Sequence, residues 1–299
     1  MKVSVIIPTK NRLLKLQQAF KSASNQTRKP DEIIIVDDGS DLDNHIIVQD
    51  FVCEGVNVKI EKIKLSKGAC HARNKGAELA DGDILMFLDD DDTWEEDKIA
   101  SQLNVFSQNQ DIGLVYSGRL VVSDLDREKV IYKIQPKAFG KLYPRILYSN
   151  LIGTTSTVGI KKSIFKKAGG FDEELPALQD YDLWIRCCQI TIVGNDDSCN
   201  VRYTVSENSS SQISGQSERQ IVAVNKISEK YKLEIASQGF LNARKIRSNQ
   251  LFYVAKSLRN RGLKEALTWI YLSFIHYPNL KIVALILPMR IIRRLKGLK

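Results

Sequence analysis

Val3-Ser4-Val5-Ile6-Ile7 is a β-branched run stopped by Pro8, and Leu13, Leu16, Ala19, Phe20 and Ala23 follow it at helical spacing. Strand then helix is the expectation. Ile33-Ile34-Ile35-Val36 lacks polar alternation, the mark of a strand buried on both faces of a parallel sheet, and Asp37-Asp38-Gly39-Ser40 closes it with turn residues. The pattern then predicts a helix from Asp43 to Cys53, a strand over Val56 to Ile63, a helix over Cys70 to Leu79 and a strand over Ile84 to Leu88 that runs into four aspartates. This alternation implies a doubly wound α/β sheet, mostly parallel, with right-handed crossovers. Beyond Asp92 the pattern is less regular: Ile112 to Tyr116, Leu120 to Ser123 and Lys129 to Ile134 read as strands, Lys161 to Ala168 as a short helix, and Leu183 to Ile190 as a further apolar run. Val205 to Glu218 is Ser-rich and reads as a loop, and from Ile221 the spacing is helical to the end.

In such sheets ligands sit at the carboxyl ends of the strands. Thr9, Asn11 and Arg12 follow the first strand, Asp37 and Asp38 the second, Lys67 and Gly68 the third, and Asp89 to Asp92 the fourth, so polar groups converge on one edge. A dinucleotide glycine fingerprint after the first strand and a G-x-x-x-x-G-K-[ST] sequence are both absent, which argues against a Rossmann dehydrogenase and a P-loop NTPase.

Four adjacent ionised aspartates repel one another unless a counter-charge is present. A divalent cation relieves that, and hard carboxylate oxygens suit Mg²⁺ or Mn²⁺ with positions left for substrate phosphates. A solvated turn ahead of a helix, with Asp92 as N-cap and Glu95 as its capping-box partner, is the purely structural alternative. Asp37-Asp38 has the same two readings, a turn or a carboxylate accepting a nucleobase N–H.

VSVIIPTKNR, EIIIVDDGSD, KGACHARNKGAELADGDILMFLDDDDTW and KAGGFDEELPALQDYDLWIRC, in this order over roughly residues 2–190, resemble the family 2 glycosyltransferases of GT-A fold. The resemblance implies a Rossmann-like, mostly parallel α/β sheet followed by a helical C-terminal region, and an inverting, metal-dependent transfer of one sugar from a nucleotide-sugar to an acceptor hydroxyl. It places a catalytic domain over 1–220, with a nucleotide-binding half to about residue 95 and an acceptor half after it, and the helical region over 221–299. Carried over residue by residue, Pro8, Thr9, Asn11 and Arg12 would line the nucleotide site, and Asp38 would meet the base, uracil by preference, with Asp37 supporting it. Lys67, Gly68 and Arg73 would lie near base and ribose, with Arg73 and Asn74 alternatively bracing the loop. Asp91 would hold the metal, and Asp89 or Asp90 would contact ribose or stand behind it. The family's late Glu-Asp motif reads Gln179-Asp180 here, which leaves Asp180 as the candidate base. Helix-start capping is the structural alternative for Asp180 and Asp182, and Trp94 and Trp184 would either pack on sugar rings or fill core. No Q-x-x-R-W follows Asp180, so a non-processive enzyme extending a growing glycan in surface polysaccharide synthesis is expected rather than a polymer-extruding synthase.

A hydrophobic share of 43% and a charged share of 26% exclude a disordered or disulfide-stapled chain. The net charge of +9 would by itself suggest a polyanionic partner, but it is unevenly spread. Asn242 to Lys299 holds 13 Lys and Arg against Glu265 alone, leaving 31 basic and 34 acidic residues before it. From Leu280 the sequence LKIVALILPMRIIRRLKGLK combines apolar blocks with six basic residues and no acid, the composition of an interfacial helix drawn to anionic lipid. The resemblance offers a polyprenyl-linked acceptor as the reason, with packing on the catalytic domain or on a second subunit as the alternative. No nucleic-acid-binding motif is present in the basic region. A nucleotidyltransferase sharing the nucleotide-binding half is the rival enzyme class. The N-terminus lacks the apolar core of a signal peptide and no apolar run reaches spanning length, so a cytoplasmic protein peripheral to the inner face of the membrane is expected. Five cysteines without C-x-x-C spacing and three scattered histidines suggest neither a zinc nor a redox site.

Overall fold

A computed structural model describes residues 1–41, 51–205, 217–259 and 261–288. The helix expected from Asp43 to Cys53 lies outside them up to residue 50, as do His45, most of the Ser-rich stretch and the tail from Met289. The chain divides into two compact units, the first comprising Met1–Tyr143, Leu151–Glu173 and Gln179–Val205, the second Pro144–Asn150, Glu174–Leu178 and Ser206–Lys299.

In the first unit, strands β1 (Val3–Thr9), β2 (Glu32–Asp37), β3 (Asn57–Lys62) and β4 (Ile84–Phe87) alternate with helices α1 (Leu13–Ser24) and α2 (Ala69–Leu79). There follow β5 (Thr93–Trp94), α3 (Lys98–Gln108), β6 (Ile112–Tyr116), β7 (Arg119–Ser123), β8 (Val130–Ile134), β9 (Val158–Lys161), α4 (Lys162–Ala168), α5 (Gln179–Ile190), β10 (Ile192–Asn195) and β11 (Val201–Val205). Seven strands form one sheet in the order β10-β6-β9-β4-β1-β2-β3, and four form another in the order β5-β11-β7-β8. The large sheet is mostly parallel, as expected. The exception is β9, which runs antiparallel between β4 and β6. Its four residues, Val158-Gly159-Ile160-Lys161, are too short and too Gly-interrupted to read as a strand from sequence, yet they join β4 and the strands beside it to β6 and β10.

β1 and β2 are buried along their whole length. Val3, Val5 and Ile7 join Leu16, Phe20, Ile33 and Ile35 in one core on the face covered by α1. Ile6 points the other way, toward α2, where a Cβ at Gly76 would lie 2.5 Å from its Cγ2 and 3.2 Å from Val36 Cγ2. Both obstructing atoms belong to stiff β-branched residues. Gly76→Ala therefore trades about 1 kcal/mol of helix propensity for an overpacking cost of about 1–3 kcal/mol, and the second effect wins. A Tm lower by about 2–6 °C is expected in a thermal melt; an unchanged or higher Tm would show that α2 can lift off the sheet at no cost.

The stretch after Asp92 does not form the capping-box helix considered above. Thr93 and Trp94 pair with β11, and α3 begins only at Lys98. Ile99, Leu103 and Phe106, at helical spacing, carry that helix against the core and were a legible signal. The apolar run Leu183 to Ile190 is helical, as part of α5.

The second unit is helical, as its spacing predicted: α6 (Ser217–Lys230), α7 (Lys232–Ala236), α8 (Phe240–Arg259), α9 (Leu263–His276) and α10 (Leu280–Val283). Val224, Val254, Leu258, Ala266, Ile270 and Ile282 make its core. No helix among the described residues is long and apolar enough to cross a membrane.

Candidate active site

β1, β2 and β4 run parallel, so the residues after each strand meet at one edge. Thr9 ends β1 opposite Asp37 of β2, and Thr9 O accepts the Asp38 N–H at 2.9 Å. Pro8 is buried beside Val36, beyond the last β1–β4 pair of Ile6 with Phe87. Two groups of side chains adjoin along this edge.

The first group is a braced loop. Asp38 accepts the N–H of Lys67 and of Gly68, each at 2.8 Å, and the Ser66 hydroxyl at 2.7 Å. An ionised carboxylate offers about four lone-pair sites, so these bonds leave room for one further donor. Gly68 has φ +95°, a conformation that favours glycine, and it leads into α2 with its N–H turned to Asp38. The Lys67 side chain is exposed. Asp37 is buried and accepts the Ser40 N–H at 3.0 Å. Asn11, at φ +54°, donates its backbone N–H to Ser40 Oγ at 2.8 Å and exchanges two hydrogen bonds with Asp41, which ties the turn after β1 to the turn after β2.

The second group is the aspartate cluster. Thr9 Oγ1 donates to Asp90 at 2.7 Å, and one Arg12 nitrogen reaches both Asp90 at 3.1 Å and Asp91 at 3.2 Å. Burial pushes the Asp90 carboxyl up to about 6 despite Arg12. Asp89 pairs with Arg73, whose guanidinium also lies 5.4 Å from the centre of the Phe171 ring. Burial, and then the charge of Asp89, raise the Asp91 carboxyl above its ordinary value. The Asp89 and Asp91 side chains keep 25% and 16% of their surface, against 7% for Asp90, so they are the members a ligand could reach.

Asp92 differs from its neighbours. It is 1% exposed, accepts Ser156 Oγ at 2.6 Å and the Thr204 N–H at 3.0 Å, and burial drives its pKa well above the usual carboxylate range. Ser156 Oγ also receives the Asp89 N–H at 3.1 Å, and its carbonyl takes the Trp94 indole N–H at 2.9 Å. Trp94 thus fills core, with the buried Lys98 ammonium 3.9 Å from its ring centre and pushed down to about 7 by desolvation. Asp92 joins three segments rather than facing ligand. Asp92→Asn keeps an acceptor for Thr204 and is expected to fold normally, whereas Asp92→Leu strands two donors and is expected to cost about 2–4 kcal/mol. Urea melts of the pair check this; equal midpoints would refute it.

Asp180 arrives from a distant part of the chain. It sits half-buried in the first turn of α5 and accepts the Tyr181 N–H at 2.8 Å; burial pushes its carboxyl up to about 6 against the lowering by that N–H and by Arg73, with Asp89 raising it and Arg119 lowering it. Asp180 therefore lies within the electrostatic reach of the aspartate cluster. Asp182, beside it, is buried and paired with Arg186 at 2.6 Å, a structural role. Trp184 is fully buried and donates to Gly153 O at 3.1 Å, which decides for core. Asn74 bonds the Phe171 N–H and carbonyl and Glu173 Oε1, each at 2.9 Å, and so locks α2 to the Gly169-Gly170-Phe171 turn that precedes α5. Arg119, in β7, was not singled out in the sequence; no motif marks it, and only the second sheet brings it near Asp180.

Hard oxygen donors at Asp91 and Asp89, crowded charge and a partial counter-charge from Arg12 fit a divalent cation completed by substrate oxygens. Among the described residues no three His, Cys, Asp or Glu form a group that could hold a metal ion.

The sequence profile described as glycosyl transferase family 2 matches residues 4–169. An uncharacterized glycosyltransferase of Haemophilus influenzae is 33% identical over 188 residues, covering 62% of this chain and 62% of that protein. Another, of Rickettsia typhi, is 31% identical over 213 residues, covering 68% of this chain and 64% of that protein. The matches thus span less than two thirds of these relatives' own length. Among solved structures, residues 1–349 of S. aureus TarS in complex with UDP-GlcNAc align with a TM-score of 0.65 at 19% identity, over 96% of this chain and 84% of that one. The mannosyltransferase PcManGT of Pyrobaculum calidifontis, in complex with GDP-Man and Mn²⁺, aligns with a TM-score of 0.59 at 15% identity, over 95% and 78%. At these identities the likeness is one of fold.

Proposed function

The chain belongs to glycosyl transferase family 2, and from that membership we propose that it transfers a single sugar, with inversion, from a nucleotide-sugar to a hydroxyl of a growing glycan. The observation that carries this reading is the meeting, at one sheet edge, of Asp89 and Asp91 with their counter-charges Arg12 and Arg73, within electrostatic reach of Asp180, whose carboxyl is raised to about 6.

Asp180 is the base. It removes the proton from the acceptor oxygen as that oxygen attacks the anomeric carbon and the bond to the diphosphate breaks; one displacement inverts the centre and needs no enzyme nucleophile. A carboxyl near 6 is mostly ionised at neutral pH yet more basic than an ordinary aspartate. Arg12 and Arg73 hold the carboxylates in place and add positive charge at the leaving-group side. Asp91, with Asp89 beside it, would hold Mn²⁺ or Mg²⁺, which supplies charge neutralisation on the departing diphosphate. The turn of Asp37, Asp38, Lys67 and Gly68 would receive the base and ribose, Asp38 through its remaining acceptor site. Uridine is the proposed nucleoside, by family resemblance; the two fold neighbours are bound to UDP-GlcNAc and GDP-Man, which supports a nucleoside diphosphate leaving group.

The acceptor is proposed to be lipid-linked, on the inner face of a membrane. The basic composition from Leu280 onward supports a peripheral contact there, although residues from Met289 lie outside the described part. The test is a panel of UDP-, GDP- and dTDP-sugars with and without Mn²⁺, scored for release of nucleoside diphosphate. Metal-dependent release from at least one donor is expected. Release of pyrophosphate instead would identify a nucleotidyltransferase.

A further inference from the structure

The second unit carries an apolar face that its own core does not use. α9 buries Ala266 and Ile270 inward, yet its outward positions Leu267, Tyr271 and Phe274, spaced four and three residues apart, are 45%, 64% and 40% exposed. A helix facing only water would be polar there. Val283 and Ile286 form the opposite wall, and together these side chains line an open groove of about 240 Å³ floored by Ile270 and Ile282. The wall is held in place from α8: Arg259 donates to Leu285 O at 2.8 Å and to Leu287 O at 3.1 Å.

The charge around this face selects its partner. Exposed Lys264 precedes Leu267 by one turn, exposed Lys281 precedes Ile282, and Asn242 to Lys299 carries +12 with Glu265 as its one acid. A second copy packed face to face would oppose two such segments and lose by like-charge repulsion. An anionic bilayer satisfies both features: headgroups meet the lysines, acyl chains meet the apolar stripe, and Tyr271 and Tyr277 suit the boundary between them. We propose that the α9–α10 face is a preformed membrane-seating surface whose groove takes acyl chain from an anionic leaflet. This rests on the reading of the chain as acting at a membrane, but it assigns contact to a folded surface separate from the basic tail.

The test uses the full chain with vesicles of phosphatidylglycerol and phosphatidylcholine. Tyr271→Asp with Phe274→Asp changes two exposed positions and is expected to lower the vesicle partition coefficient at least tenfold, or 1.4 kcal/mol, with metal-dependent donor hydrolysis in solution unchanged. A smaller loss overturns the proposal. So does a wild-type dimer in lipid-free sedimentation that the double variant converts to monomer, because the face would then belong to a second copy. Should the variant fail to fold, wild-type protein with acyl-brominated phosphatidylglycerol gives a second readout: quenching of Trp269, two residues from Tyr271, is expected, and its absence overturns the proposal. Donor hydrolysis is scored without vesicles, so failure of the membrane surface and failure of the enzymatic reading are separable.

Discussion

Asp180→Asn is expected to lower kcat for sugar transfer by about 10²–10⁴-fold while donor affinity stays within about twofold. Asparagine keeps the shape and the acceptor for the Tyr181 N–H but cannot take a proton. In the wild type, the base works only when ionised, so kcat should rise with pH through about 6 and level off above it. The stability consequence has the opposite sense. Because the folded-state value of about 6 exceeds the unfolded value of 3.8, the folded protein holds the extra proton between them, and stability falls as pH rises through that window. Removing the charge relieves a cost present above pH 6, so Asp180→Asn should raise the stability at pH 7.5 by about 1–3 kcal/mol, and the Tm with it. A variant that loses activity and gains stability separates catalysis from folding. A variant that keeps a tenth or more of wild-type kcat would remove Asp180 from the role of base.

Asp91→Ala is expected to abolish metal-dependent donor hydrolysis, a loss of about 10³-fold or more, and to weaken Mn²⁺ binding, followed by electron paramagnetic resonance, at least tenfold. Asp91 is one of the two reachable carboxylates, and substituting it leaves Asp89 paired with Arg73 and Asp90 with Arg12. The fold should not suffer. Burial and the nearby charge of Asp89 disfavour the ionised Asp91, so its removal relieves repulsion and the Tm should hold or rise. That outcome contrasts with Asp92→Leu one residue away, where the fold fails first because Ser156 and Thr204 lose their acceptor. Full metal-dependent activity in Asp91→Ala would overturn the assignment of the metal position.

Much of the first unit was legible in its residues because parallel strands buried on both faces are written as unbroken apolar runs, and β1, β2 and β4 all have that form. Their endings were legible for the same reason: once the strands are parallel, whatever follows each lands on the same edge. β9 was not legible, since its four residues pair at both sides through backbone contacts that no side-chain period announces. α3 could have been found from Ile99, Leu103 and Phe106 but was obscured by the aspartates ahead of it, which invite a cap too early.

Within the run of four aspartates, composition and spacing made the residues near equivalents, and only the family resemblance singled out Asp91. Composition and spacing determined that this chain has a mostly parallel α/β sheet, an acidic edge at the strand ends, and a basic C-terminal region. The tertiary structure decided which carboxylate does what: Asp92 is turned inward to Ser156 and Thr204, Asp90 is held by Thr9 and Arg12, and Asp89 and Asp91 remain accessible. It also decided that Asp180 stands in the field of Arg73 and Arg119 and that α9 leaves an apolar face uncovered. Strand and helix patterns are local and survive in the order of residues. Burial, partner choice and pKa depend on groups as many as 112 positions apart, as for Asp92 and Thr204, and those distances exist only after the chain has folded.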